Sequence, residues 1–156
     1  MIHQIKREQL LSANIEDVWE FVSSPLNLKK ITPDYMNFTI TSNDLEKEMY
    51  PGMIICYKVS PLLAIPTNWV TEITHVKKYK LFVDEQRVGP YKIWHHEHLF
   101  KEKKDGVLMI DIISYKLPFG IIGRLVNKLF IKKKLNKIFN YRFNRMNDIF
   151  NNKEGA

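Results

Sequence analysis

Cysteine, glycine and proline are all scarce in this sequence. Cys56 is the only thiol among 156 residues, so an internal disulfide and a thiolate metal cluster are excluded. Glycine and proline number 6 and 7 while 45% of the residues are hydrophobic, which argues against a low-complexity or disordered chain. We therefore expect one globular domain over residues 1–156, near the commonest domain size.

Long apolar runs are missing as well. No uninterrupted apolar segment approaches the roughly 20 residues that a transmembrane helix requires. The first residues, "MIHQIKREQLLS", carry charges where a signal peptide would have its apolar stretch. We therefore predict a cytoplasmic protein without a transmembrane segment.

The chain is basic, with a formal net charge of +7. The surplus lies in short runs, "KKYK", "KEKK" and "IKKKLNK", which are typical of hairpin tips and of one solvated helix face. The sequence has no phosphate-binding glycine loop, no zinc-finger spacing and no aromatic RNA-binding signature. We expect no nucleic-acid partner.

The first third of the chain predicts one strand and two short helices. Residues 2–11 have extended character, and "SANIEDVWEFVSSPLNLKKITP" follows. Asn14 or Ser12 is suited to cap the first helix, and Ser24 the second, which Pro33 ends.

The middle of the chain predicts six further strands. Apolar runs rich in strand-forming residues are separated by short segments with proline, glycine or clustered lysine, and such short connections favour antiparallel pairing. The predicted strands are residues 36–43, 52–60, 67–77, 80–88, 92–101 and 107–117.

The last third changes to a helical period. Apolar residues recur mostly every three or four positions through a region without proline, so we predict one long amphipathic helix whose apolar stripe covers the sheet. The stripe consists of Ile121, Leu125, Leu129, Leu135, Phe139, Phe143, Met146 and Phe150. The element order predicts an α+β fold, in which a curved seven-stranded antiparallel sheet wraps the C-terminal helix and the short helices close one end. A ligand cavity between sheet and helix is expected from this arrangement.

The segment "WHHEH", residues 94–98, holds three of the five histidines. On a strand, alternation places Trp94, His96 and His98 on one face, and the large aromatic makes this the candidate inner face. The pair His96 and His98 has three interpretations: a metal site completed by a carboxylate, an acid/base site, or a hydrogen-bonded network in a pocket or core. We favour the network, and expect no metal and no cofactor.

Two carboxylates are within range of these histidines. Asp111 is the first, because the "KKDG" turn pairs its strand with that of the histidines, and Asp84 is the second if the loop after residue 88 has the right parity. The catalytic candidates are His96, His98 and Asp111. The ligand contacts that we predict are Trp69, Asp84, Gln86, Trp94, His96, His98, Tyr115, Phe139, Phe143 and Met146. For Asp84 and Gln86 a solvated strand end is the alternative, and for Tyr115 a buried, satisfied hydroxyl.

Another candidate lies in the loop "SPLLAIPTNW", whose tip is apolar. Residues 61–66 are interpreted either as a gate or docking contact for a membrane or partner, or as a loop that folds over the core. Lys132 to Lys134 add a weak polybasic signal. Cys56 has no identifiable histidine partner, and we interpret it as structural.

The segments "FVDEQRVGPYKIWHHEHLF" and "DIISYKLPFGIIGRLVNKLFIKKKLNKIFNYR" resemble the SRPBCC superfamily of START-like, helix-grip proteins. Within it the chain is similar to small bacterial ligand-binding and polyketide cyclase/dehydrase-like proteins, and the resemblance spans nearly the whole chain. It implies a START-like ligand-binding domain and, as a partner, a separate epimerase-like protein. The positions that match the family pattern are Asp84, Gln86, Gly89, Pro90, Trp94, His96, His98, Asp111, Tyr115 and Pro118.

Three functions follow as hypotheses. The first is binding of a small hydrophobic or amphipathic ligand between sheet and helix. The second is a cyclase or dehydratase in which His96 or His98 moves a proton and a carboxylate fixes its tautomer. The third is an accessory module that docks through residues 61–66. The oligomeric state is not predicted.

Overall fold

The computed structural model of the chain describes residues 1–60 and 65–152. Seven antiparallel strands form one sheet in the order β1-β7-β6-β5-β4-β3-β2, which confirms the predicted seven-stranded sheet. The strands are β1 (His3–Leu11), β2 (Thr39–Ile40), β3 (Ile54–Val59), β4 (Thr67–Lys77), β5 (Leu81–Val88), β6 (Ile93–Lys103) and β7 (Gly106–Lys116). The other six strands agree with the predicted strands to within two residues at every end.

Strand β2 is much shorter than the predicted strand at residues 36–43. Residues Asp34–Met36 form a short 3-10 turn instead, and Asn37 ends it in the left-handed conformation with φ 48°. Because Asn37 has left-handed rather than extended dihedral angles, it cannot belong to the strand, which starts only at Thr39. The turn carries Met36 into the interior, where it is 8% exposed.

The two short helices follow β1 as predicted. Helix α1 spans Ile15–Val22, and the side chain of Asn14 caps it by accepting a hydrogen bond of 2.7 Å from the backbone N–H of Asp17. The second is a 3-10 helix at Pro25–Ile31, and the Ser24 side chain makes no capping hydrogen bond there. Pro25 at its first turn supplies the preset φ that starts it.

The C-terminal helical region has three parts. Helix α2 spans Gly120–Val126, a π-helical segment spans Asn127–Ile131, and helix α3 spans Lys132–Phe150. Four apolar residues of the predicted stripe on α3, Leu135, Phe139, Met146 and Phe150, are buried against the sheet. The curved sheet therefore wraps α3, as predicted.

The predicted stripe is wrong for the residues that precede α3. Ile121, Leu125 and Leu129 are 74%, 58% and 55% exposed. A π-helical turn holds an extra residue, so it changes the angular phase between the apolar positions before and after it. Gly123 also brings the α2 backbone so close to the Pro118 carbonyl that a Cβ there would overlap it. Both features turn the α2 stripe away from the sheet.

The interior has two apolar clusters. One joins α1 to the sheet around Trp19, Phe82 and Phe100, and the other joins α3 to the sheet around Trp69, Tyr115 and Phe139. Burial of such side chains stabilises a fold by about 25 cal/mol per Å² of apolar surface. The histidine segment of β6 lies where the two clusters meet, because His98 stacks on Phe82 and His96 lies edge-on to Phe139.

Candidate functional site

Strand β6 presents its histidines to the interior. His96 and His98 are 3% and 2% exposed, while His95, between them, is half-buried on the opposite face. The sheet register places Asp84 of β5 opposite His96, and Asp111 of β7 opposite His98. Both carboxylates therefore lie on the same face of the sheet as the two histidines. This includes Asp84, whose face could not be predicted without knowing the length of the loop after residue 88.

These four side chains form a closed ring of alternating acids and bases. Asp84 Oδ2 lies 3.3 Å from His96 Nδ1 and 2.9 Å from His98 Nε2. Asp111 Oδ1 lies 3.2 Å from His96 Nε2 and 2.8 Å from His98 Nδ1. The imidazole centroids are only 3.8 Å apart. Each imidazole thus touches both carboxylates, through different ring nitrogens.

This contact pattern constrains the protons. A neutral imidazole has one N–H and one lone pair, so either tautomer would direct a lone pair at a carboxylate oxygen. For His96, a proton on both nitrogens, or a cation in place of one proton, satisfies both contacts. The Nδ1 of His98 is buried and, within residues 1–60 and 65–152, forms no hydrogen bond, although it lies 2.8 Å from Asp111 Oδ1.

Electrostatics stabilise the charged forms in the ring. Burial alone would lower the pKa of His96, but Asp84 and Asp111 outweigh it and hold that pKa above its ordinary value. Burial likewise opposes ionisation of Asp84, yet the two histidines keep its pKa well below the ordinary value. The pKa of Asp111 is also held well below its ordinary range against burial, first by Arg142 and then by the histidines.

A cavity of about 140 Å³ lies between the sheet and α3. Its wall is largely apolar and aromatic, and a few polar groups interrupt it on one side. The lining residues are Leu28, Ile31, Thr32, Met36, Phe38, Tyr57, Val59, Trp69, Asp84, Tyr91, Trp94, His96, Leu135, Ile138, Phe139 and Arg142. The apolar wall with convergent polar groups is typical of a small-molecule site.

Five of the predicted ligand contacts line this cavity: Trp69, Asp84, Trp94, His96 and Phe139. The other five lie elsewhere. His98 lies in the ring beside His96, and Tyr115 is 1% exposed in the cluster that includes Tyr91 and Trp94. Met146 is buried in the α1 cluster, and Phe143 is 37% exposed.

Gln86 closes a loop. Its amide accepts a hydrogen bond of 3.2 Å from the Tyr91 backbone N–H and donates one of 2.6 Å to the Tyr91 carbonyl. Both ends of the side-chain amide therefore hold the turn between β5 and β6. This β5–β6 turn places Tyr91 and Trp94 at the cavity wall.

Arg142 is a functional candidate that the sequence interpretation missed. It lies on α3 one turn after Phe139 and lines the cavity, and its buried Nε has no hydrogen-bond partner among the described residues. A signal was present, since a cation at the i+3 position from Phe139 interrupts the apolar stripe. A cation that faces the interior between apolar neighbours is suited to an anionic or acceptor group.

Residues 61–64 of the predicted docking loop lie outside the described part of the chain. Ile65, which follows them, is 59% exposed. In the described helices, none has the length and apolar character needed to cross a bilayer.

Three of the ring's side chains also meet the requirements of metal ligands. One donor atom each from Asp84, His96 and His98 lies within 4.8 Å of the other two. Two imidazoles and a carboxylate are donors that divalent transition metals accept.

A curved sheet, a gripped C-terminal helix and the cavity between them define a helix-grip protein. No family model matches the chain, and no curated protein matches it. Solved structures do: protein CV1439 from Chromobacterium violaceum has a TM-score of 0.69 at 13% identity, over 94% of this chain and 96% of that one.

Two plant proteins with the same fold are similar as well. Major latex-like protein 151 from Panax ginseng has a TM-score of 0.65 at 8% identity, covering 96% of this chain and 97% of that one. Ara h 8.0201, a Bet v 1-like protein, has 0.59 at 9%, with coverage of 95% and 99%. The resemblance to helix-grip proteins is therefore confirmed for the fold.

Proposed function

We propose that the protein binds a small amphipathic molecule in the cavity between the sheet and α3. The observation that carries the proposal is the cavity itself, with aromatic walls and with Asp84, His96 and Arg142 in its lining. An open, largely apolar space with a few polar groups in its wall is the usual form of a small-molecule site.

The volume limits the ligand. The cavity measures about 140 Å³, and an apolar protein cavity of about 150 Å³ holds benzene. A single aromatic ring with one polar substituent therefore fits without expansion. A larger ligand would need α3 or the 3-10 helix at Pro25–Ile31 to move outward, since residues of both elements line the cavity.

The polar groups define how the ligand would be oriented. Arg142 offers a buried N–H without a partner, so an acceptor oxygen on the ligand would satisfy it. Tyr57 and Thr71 already hydrogen-bond each other at 2.9 Å, so the Tyr57 hydroxyl is less available. We therefore place the ligand's oxygen near Arg142 and its ring among Trp69, Trp94 and Phe139.

The cyclase or dehydratase alternative has weaker support. A general base needs a free lone pair within reach of the substrate proton. The two ring nitrogens of His96 face carboxylates instead, at 3.3 Å and 3.2 Å. The third alternative, docking of a partner protein or a membrane through residues 61–66, stays a hypothesis, as does the separate epimerase-like partner.

Filling the cavity tests the proposal. Val59 lines the cavity and is 3% exposed, so Val59→Phe is expected to occupy it. We expect phenol and benzoate to raise the Tm of the wild type, and Val59→Phe to lower their affinity at least about tenfold through steric exclusion. Native mass spectrometry of the purified protein would also detect a retained ligand.

Val88→Phe is the matched control, because Val88 is 54% exposed at the end of β5. It should bind both probes as the wild type does. The proposal would be wrong if neither probe bound and no molecule co-purified, or if Val59→Phe bound the probes unchanged.

A further inference from the structure

We infer that Asp84, His96 and His98 bind one divalent transition-metal ion, with Asp111 orienting the two imidazoles from behind. From the sequence we expected no metal, because the strand registers that bring these residues together were not readable there. The inference is independent of the organic ligand proposed above.

The three donor atoms have the spacing of a metal site. Asp84 Oδ2 lies 3.3 Å from His96 Nδ1 and 2.9 Å from His98 Nε2. In a tetrahedral site with metal–ligand bonds of about 2.0–2.1 Å, neighbouring ligand atoms lie about 3.3 Å apart. All three donor atoms lie within 4.8 Å of one another, so rotation of the side chains would bring them into contact with one ion.

The opposite nitrogens both lie close to one carboxylate, although only that of His96 is hydrogen-bonded to it in this conformation. Histidines that bind a metal through one nitrogen usually donate the other N–H to a carboxylate or carbonyl, which fixes the tautomer. Here Asp111 Oδ1 lies 3.2 Å from His96 Nε2 and 2.8 Å from His98 Nδ1. One carboxylate can thus direct both imidazole lone pairs toward the same point beside Asp84.

A divalent ion is compatible with the charges of this buried place. The ion, two neutral imidazoles and the carboxylates of Asp84 and Asp111 together have no net charge. An ion on His98 Nε2 would place the single proton of that ring on Nδ1, which is buried 2.8 Å from Asp111 Oδ1. Donation to Asp111 then requires only that the ring turn into alignment.

The site is open on one side. Asp84 and His96 line the cavity while His98 lies behind them, so an ion would keep its free coordination position toward the cavity. Two imidazoles with one carboxylate suit Zn²⁺, Fe²⁺ or Co²⁺, whereas Mg²⁺ and Ca²⁺ prefer oxygen ligands throughout.

Cobalt titration of chelator-treated protein tests the inference. We expect one Co²⁺ per chain, with visible d–d absorption that Zn²⁺ abolishes by displacement, and a Tm that rises with either ion. Asp84→Asn, which keeps the side-chain shape, should weaken Co²⁺ binding at least about tenfold. An anomalous difference peak beside Asp84 at the zinc edge, in wild-type crystals grown with Zn²⁺, gives a readout that needs no variant.

His95→Gln is the matched control, because His95 is on the same strand but contacts Glu85 on the outer face, at 2.8 Å. It should bind Co²⁺ as the wild type does. The inference is overturned if no stoichiometric binding occurs, if His95→Gln rather than Asp84→Asn loses it, or if the zinc peak lies on the outer face.

A second, independent observation concerns the exposed stretch before α3. Phe119, Ile121, Leu125, Leu129 and Phe130 are 80%, 74%, 58%, 55% and 65% exposed. Residues 112–147 contain no aspartate or glutamate, and Lys128, Lys132 and Lys133 are exposed beside these apolar side chains. We name these eight exposed side chains the basic apolar surface.

We infer that the basic apolar surface docks on an anionic lipid bilayer. An apolar helix face flanked by lysines is the composition of helices that lie in the membrane interface. A second copy of the chain fits less well, because it would bring two lysine-rich surfaces together. Anionic headgroups would neutralise the same lysines while the apolar side chains enter the acyl boundary.

Vesicle flotation tests this second inference. The protein should float with phosphatidylcholine vesicles that contain phosphatidylglycerol, less with phosphatidylcholine alone, and less at high salt. The double substitution Leu125→Glu and Leu129→Glu should reduce binding at least about tenfold. Leu26→Glu is the control, since Leu26 is 53% exposed on the 3-10 helix at Pro25–Ile31.

Two results would overturn it. One is vesicle binding that is absent, or unchanged by the double substitution. The other is a concentration-dependent dimer in size-exclusion chromatography that the double substitution abolishes, because that would assign the surface to a second copy.

Discussion

Replacement of Asp111 by asparagine is expected to lower the free energy of unfolding of the chelator-treated protein by about 3–5 kcal/mol. Asp111 is 9% exposed and its Oδ1 lies 3.2 Å from His96 Nε2 and 2.8 Å from His98 Nδ1. Asparagine fills the same volume but has no charge. The substitution therefore leaves positive charge buried without its counter-charge, which is the costly way to break a buried ion pair.

Glu85→Gln provides the matched comparison. Glu85 accepts a hydrogen bond of 2.8 Å from His95, one residue away from His96, but on the outer face of the sheet. The two side chains are 29% and 36% exposed, so solvent screens the pair. We expect this substitution to cost at most about 1 kcal/mol.

Urea unfolding followed by tryptophan fluorescence measures both losses. If the Asp111→Asn protein is already unfolded without urea, the loss equals or exceeds the whole free energy of unfolding, which also agrees with the prediction. A loss no larger than that of Glu85→Gln would contradict it, and would mean that the buried ring is not ionised.

Alternation along β6 was enough to predict the inward face of the site. Trp94, His96 and His98 share that face because side chains on a strand alternate, and the short turn before Gly106 places Asp111 opposite His98. The position of Asp84 could not be derived in the same way. It depends on the loop after β5, which the Gln86 amide holds through the Tyr91 backbone. That contact forms only in the folded chain.

The sequence pattern could not predict which residues line the cavity, or which side of α2 faces the sheet, for a different reason. Met36 reaches the cavity wall because the predicted strand there is replaced by a 3-10 turn, and Arg142 reaches it from a helix face that otherwise reads as apolar. The π-helical segment Asn127–Ile131 alters the phase of the stripe. A fixed helical period cannot register an extra residue in one turn, so Ile121 and Leu125 were assigned to the wrong side.

The second large effect is expected from pH. The free energy of unfolding of the metal-free protein should fall as the pH rises above about 6.5. His96 has a folded-state pKa raised above the ordinary value of 6.5. Its contribution to stability is therefore fully present below pH 6.5, and is lost as the pH rises through the folded pKa.

The sign follows from proton counts. Between the two pKa values of His96, the folded state retains a proton that the unfolded state has released, so raising the pH favours unfolding by about 1.4 kcal/mol per pH unit. Burial opposes the imidazolium, while Asp84 and Asp111 stabilise it and determine the direction. At acidic pH the free energy of unfolding should also fall, because protonation of Asp84 and Asp111 removes their contribution to stability.

Urea unfolding at half-unit steps from pH 5 to 9, in the presence of a chelator, measures this slope. In Asp111→Asn the decline should end at lower pH and be smaller in total, because His96 loses one of its two counter-charges and its folded-state pKa moves back toward the unfolded value. His95→Gln should leave the slope as in the wild type, since His95 is half-buried on the outer face. A wild-type profile that is flat or rises between pH 6.5 and 9 would contradict the assignment of an ionised His96. It would require a neutral imidazole with a lone pair beside a carboxylate, or a cation that the chelator failed to remove.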